Sequence, residues 1–227
     1  MLAAVIALSV LVGMGYQKYR EAIEEVPLQQ KVEELTQRED YTEYDQISPE
    51  FIQAIVAVED RRFFTRRGVD VISLGRAFLT NLFSGEVREG GSTITQQLAK
   101  NLYFDNRPSL TRKVAEIFLL YDLERNYTKE EIVTMYANVI YYGDGYTGVG
   151  AASRGYFGKE PSELTLAEAS LLAGLPQSPS RYQLSTGLSL ARQRQQQVLQ
   201  AMVEGGLIDS RQSEQALQWS AAYSPQP

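Results

Sequence analysis

From residue 48 onward apolar residues return every three or four positions, in runs long enough to be amphipathic helices. The runs carry their own punctuation. Ser48-Pro49-Glu50 is a helix start, with Ser48 as N-cap, Pro49 at the first helical position and Glu50 favoured by the helix dipole. Thr93 and Gln96, Thr128 and Glu131, and Thr165 and Glu168 each have capping-box spacing ahead of an apolar-periodic segment. Gly174 before Pro176, and the pair Gly205-Gly206, mark helix stops. Strand character is confined to a short extended piece at 139–142. The pattern predicts a mainly α body over residues 48–227.

The N-terminus and one internal stretch depart from that pattern. The first sixteen residues, MLAAVIALSVLVGMGY, carry no charge, and a bilayer-spanning helix needs about 20 apolar residues. Residues 1–16 therefore read as a hydrophobic membrane anchor, uncleaved or truncated, with a buried helix or a cleaved signal as the alternatives. Residues 17–47 are polar and charged and read as a linker or stalk. At 71–84, VISLGRAFLTNLFS sets Leu74, Phe78, Leu79, Leu82 and Phe83 at helical spacing. That suits core packing or an amphipathic surface leaning on a membrane equally well. GEVREGG, 85–91, is a polar, glycine-rich loop.

Composition narrows the chemistry. With 227 residues and 44% hydrophobic content the chain can bury one substantial core. It has neither Cys nor His, which excludes a disulfide framework, a thiolate nucleophile, a Ser-His triad and a conventional zinc site. Acid-base work falls to Asp, Glu, Lys and Tyr. The formal charge is -6, yet residues 61–113 hold ten Lys and Arg against four Asp and Glu. Such a local basic surface binds anions. In an acidic chain without a nucleic-acid motif, that anion is phosphate on a ligand or lipid and not nucleic acid.

Three constellations stand out. Projected at 100° per residue from Phe51, Glu59 falls among Ile52, Ile55 and Val56 on the apolar face. A carboxylate there is either paired with a buried arginine or held where its pKa is tuned for base catalysis. The adjacent Arg61, Arg62, Arg66 and Arg67 serve either reading, as neutralising partners or as ligand contacts. GGSTITQQLAKN, 90–101, leads through glycines into a helix whose free N–H groups suit a phosphate or sugar hydroxyl, and Gln96, Gln97, Lys100 and Asn101 are poor core material. In RKVAE, 112–116, Lys113 and Glu116 share a helical face, the spacing of an ordinary surface ion pair, while Leu110, Val114, Ile117 and Tyr121 line another.

Taken in order, EDRRF, GGSTITQQLAKN, RKVAEIFLLYDLERNYTKEEIVTMYANVIYYG, GAASRGYFGK and LAEASLLAGLPQSPSRY resemble the peptidoglycan glycosyltransferase (transglycosylase) family of monofunctional enzymes and penicillin-binding-protein modules. The resemblance runs from Ser48 to about Trp219. It implies a mainly α, lysozyme-like helical lobe with a smaller membrane-associated jaw at about 71–90. It also implies polymerisation of lipid II into glycan strands, with inversion at the anomeric carbon and release of undecaprenyl pyrophosphate. Glu59 would be the general base and Glu116 the second essential carboxylate, supporting the departing pyrophosphate with basic neighbours or a divalent cation, Mg2+ or Mn2+. Arg62, Ser92, Gln97, Lys100, Asn101, Arg112 and Lys113 match substrate-binding positions. The implied partners are lipid II, the growing lipid-linked strand, the bilayer and other cell-wall synthesis proteins. The implied location is the extracytoplasmic side of a bacterial inner membrane, on a single-pass anchor. Arg66 stands where the family's first motif commonly has histidine. No S-x-x-K or K-T-G occurs, so no penicillin-reactive site is expected; the chain reads as a monofunctional enzyme or as a fragment of a longer one.

Overall fold

The computed structural model describes residues 2–66, 92–105, 107 and 109–223. The expected jaw at 71–90, the glycine-rich loop at 85–91 and Arg67 lie outside them. The described residues are mainly helical and fall into two compact units, one of residues 1–38 and 66–135, the other of residues 39–65 and 136–227.

In the first unit α1 (Leu2–Glu25) and α4 (Ile94–Tyr103) both pack on α5 (Leu110–Asn126), and the short α2 (Leu28–Thr36) follows α1. α1 runs without a break through the expected boundary at residue 16. It lies against α5 where Gly15 removes a side chain: a Cβ there would overlap Val114. Next to it Tyr16, and one turn on Tyr19, close on the Phe118 ring at 5.2 and 5.5 Å, and Tyr19 Oη donates to Asp122 Oδ2 at 2.5 Å. The contact stripe 111, 114, 118, 122 on α5 is a helical face. Before it, Leu2, Val5, Ile6, Val10, Val12 and Met14 stay exposed. No helix among the described residues is long and apolar enough to cross a membrane.

In the second unit α3 (Pro49–Glu59) packs against α8 (Leu166–Gly174) and α10 (Leu184–Glu204), and α11 (Ser210–Ala222) covers α8 and α10. Phe51, Ile55, Leu171, Leu172, Val198 and Leu199 are fully buried there. α6 (Lys129–Val139) carries residues of both units and leads to the antiparallel pair β1 (Tyr141–Gly143) and β2 (Tyr146–Thr147), close to the expected extended piece. α7 (Val149–Phe157) and the one-turn α9 (Pro179–Tyr182) complete the unit.

The predicted caps form. Ser48 Oγ accepts from Phe51 N, and reciprocal boxes join Thr93 to Gln96 and Thr165 to Glu168. Thr128 and Glu131 bond each other in the same way. The hairpin turn needs left-handed backbone at Gly143, Asp144 and Gly145, with Asp144 at φ 48°. Asp144 is held there because its carboxylate caps α10, accepting from Ser185 N at 3.0 Å and from the Ser185 hydroxyl.

Candidate active site

Glu59 ends α3 with its side chain 12% exposed, on the face that also buries Ile52, Ile55 and Val56. Its ion-pair partner is Arg194 of α10, Nη2 to Oε1 at 3.5 Å, itself only 10% exposed. Arg194 reaches Glu59 past Gly174, where a Cβ would stand 2.9 Å from Arg194 Cγ. The guanidinium also donates to Gln197 Oε1 at 2.8 Å. Tyr136 of α6 completes the setting: burial first, and then the negative charge of Glu59, push its phenol well above the ordinary tyrosine range, against the opposing pull of Arg194. The neighbouring arginines are engaged differently. Arg61 pairs with Glu204, and Arg62 is exposed on the turn after α3.

Neither Arg194 nor Tyr136 stands out in the sequence, where the Gln-rich run 193–197 simply sits inside a helical pattern. A signal was nonetheless present. Position 194 lies three residues after buried Ala191 and four before buried Val198, so its charge sits at core register, as Glu59 does.

In the first unit Glu116 is fully buried, not the carboxylate of a surface pair. Arg112 Nε lies 2.9 Å from Oε1, a charge contact without hydrogen-bond direction. Lys113 Nζ donates to Oε2 at 2.9 Å and stands 3.5 Å from Ser92 Oγ. Arg112 is fixed by two bonds of 2.7 Å from Nη1 to the carbonyls of Asp105 and Arg107. The burial is tertiary in origin: α5 is covered on two faces, so Glu116, Leu119, Leu120 and Leu123 go inside while Leu110 and Tyr121, expected on an apolar face, stay exposed.

Ser92, Arg112, Lys113 and Glu116 thus form one cluster. Gln97 and Lys100 are half-buried on α4, and the exposed Asn101 donates to Gln97 O at 2.9 Å. Glu59 and Arg62 belong to the other unit. Arg66 faces the side chain of Glu124, Nη2 to Oε1 at 3.7 Å. That carboxylate also takes Thr95 Oγ1 at 2.6 Å and the Lys129 ammonium, so the departure at 66 carries a partner for its charge. Two of the motif segments also meet directly, Lys159 Nζ binding both oxygens of Glu168 at 2.8 and 3.0 Å.

The sequence model of the Transglycosylase family matches residues 26–203. Penicillin-binding protein 1A of Neisseria flavescens is 41% identical over 187 residues, 82% of this chain and 23% of that protein. Penicillin-binding protein 1A of Aquifex aeolicus is 43% identical over 80% of this chain and 25% of its own length, and that of Escherichia coli 43% over 75% and 20%. This chain therefore spans about a quarter of the length of the curated relatives it matches. A crystal structure of penicillin-binding protein 1A from Haemophilus influenzae aligns over 56% of this chain and 16% of that one, with 28% identity and a TM-score of 0.39. The match over most of its length, joined to the motif residues placed above, makes this chain a member of the transglycosylase family.

Proposed function

We propose that the chain is a peptidoglycan glycosyltransferase that polymerises lipid II, with inversion at the anomeric carbon and release of undecaprenyl pyrophosphate, on a lysozyme-like lobe. The observation that carries this reading is Glu59: a carboxylate largely withdrawn from water, paired at a helix end with a largely covered arginine, in a chain of this family. Glu59 removes the proton from the acceptor sugar's 4-hydroxyl as that oxygen attacks the donor's anomeric carbon. Pyrophosphate is already a competent leaving group, so the site needs a base and positive charge, not the protonating acid of a glycosidase.

Glu116 acts through the two cations it fixes. Arg112 and Lys113 are aimed by it, and Lys113, a third exposed and near Ser92, is the group that meets the departing phosphates. Arg62, Gln97, Lys100 and Asn101 contribute further donors to the substrate. Both oxygens of Glu116 already face cations, and no group of three carboxylates suited to a metal occurs among the described residues, so the residues present fit a divalent cation poorly. The charge of the pyrophosphate falls to the side chains. The exposed apolar residues of α1 support placing the domain at the outer face of a bacterial inner membrane, where lipid II, the growing strand and other cell-wall synthesis proteins would meet it.

The test is polymerisation of labelled lipid II in detergent, with products resolved by length, by the chain and by Glu59→Gln. Polymer from the first and none from the second, with lipid II still bound, is the expected result. Undiminished polymer from Glu59→Gln would remove the base assignment; bound lipid II but no polymer from the unaltered chain would make it a binding module.

A further inference from the structure

In the second unit, residues 39–42 lie against α7 and enclose, with Arg154 and Glu160, a pocket of about 340 Å³. Gly150, one turn before Arg154, lets the lining groups come together: a Cβ there would stand 2.8 Å from Thr42 Oγ1, 3.1 Å from Arg154 Nη2 and 3.5 Å from the Asp40 carbonyl oxygen. Thr42 is 6% exposed, and its backbone is held in both directions by the Asn138 amide at 2.9 Å. Its hydroxyl makes no hydrogen bond among the described residues. A polar group so far withdrawn from water seldom goes without a partner, and this one lines a pocket. Arg154 donates to Glu160 through Nη1 at 2.8 Å, which leaves Nη2 on the side of Thr42.

The lining therefore offers two kinds of chemistry side by side. A hydroxyl and a guanidinium N–H are donors that suit a carboxylate; the Asp40 carbonyl and the exposed Glu39 carboxylate are acceptors that suit an ammonium. We infer that this pocket binds the zwitterionic head of an α-amino acid, whose carboxylate lies on Thr42 Oγ1 and Arg154 Nη2 and whose ammonium lies on the Asp40 carbonyl and Glu39. Other occupants fit less well. Phosphate would meet Glu39, Asp40 and Glu160 against a single arginine, a lone cation would meet that arginine, and a neutral sugar would leave both charges uncompensated. No group of three carboxylates suited to a metal occurs among the described residues. The volume is at the small end for a ligand pocket, which matches an amino acid and not an extended chain.

NMR titration of the full chain with lysine, Nε-acetyl-lysine, Nα-acetyl-lysine, acetate and methylammonium tests it. Lysine and Nε-acetyl-lysine keep the zwitterion and should bind; Nα-acetyl-lysine loses the α-ammonium and should bind at least about tenfold more weakly, as should acetate and methylammonium, each half of the head. Thr42→Val removes the hydroxyl at similar volume and leaves both backbone bonds to Asn138, and it should lose about tenfold in affinity for lysine. Gly150→Ala, which drives Thr42 and Arg154 apart, should lose at least as much. Tighter binding of Nε-acetyl-lysine than of lysine would identify the occupant as a residue joined to a larger molecule through its side chain, and the reverse order a free amino acid. No binding by the unaltered chain, equal binding of Nα-acetyl-lysine, or an unchanged affinity in Thr42→Val overturns the site. Binding here needs neither Glu59 nor turnover, so failure of the polymerase reading would appear separately, in the lipid II assay.

Discussion

Replacing Arg112 by alanine is the sharpest test of the buried charge cluster. The substitution removes the guanidinium 2.9 Å from a fully buried carboxylate, together with its two 2.7 Å bonds to the Asp105 and Arg107 carbonyls. Stripping one partner from a buried ion pair costs about 3–5 kcal/mol. Lys113 stays 2.9 Å from the other oxygen and offsets part of that, which places the expected loss near the low end, about 3 kcal/mol. For a chain of this size that corresponds to about 6–12 °C in unfolding temperature. A solvent-exposed pair would give about 0–1 kcal/mol. The assay is thermal unfolding, combined with hydrogen exchange of the α5 amides because two compact units need not unfold together. The variant Arg112→Met/Glu116→Gln removes both charges at similar volume and should recover most of the stability. A loss below about 1 kcal/mol, or a double variant no more stable than Arg112→Ala, would refute the account of Glu116 as a buried, doubly compensated carboxylate.

Three further outcomes follow from the geometry. Arg194→Ala should lower the polymerisation rate while leaving lipid II binding intact, because it acts through Glu59; an unchanged rate would remove Arg194 from the site. Gly15→Ala forces a methyl group into Val114 Cβ and Cγ1 and should cost about 1–3 kcal/mol, seen as faster proteolysis of α1; proteolysis at the unaltered rate would remove that contact. For Asp144, burial raises the carboxyl pKa, but hydrogen bonds from Ser185 outweigh it and the net shift is downward. A folded-state pKa below the unfolded one gives stability that is present above the unfolded value and is lost as pH falls through the folded one. Asp144→Asn, which tolerates the same left-handed backbone, should therefore be less stable near neutral pH and show a flatter decline on acidification; parallel acid-unfolding curves would contradict this.

The sequence by itself determined four of the helix starts, because capping and apolar periodicity act within a few residues, while the run of α1 past residue 16 and the short α2 within the expected linker appear only in the structure. Ser48, Thr93, Thr128 and Thr165 bond as their spacing predicts, and Glu59 lies on the helical face assigned to it. Family motifs likewise singled out Glu59, Glu116 and their neighbours as candidates. Tertiary structure decided which charges are buried and by whom they are met. Arg194 meets Glu59 across 135 positions of sequence, and Glu116 goes inside because α5 is covered on two faces, a fact no single helical projection contains. Exposure of Leu110 and Tyr121 has the same origin. Burial depends on which elements arrive against each face, and ion pairing between distant residues depends on the burial that follows; local sequence sets neither.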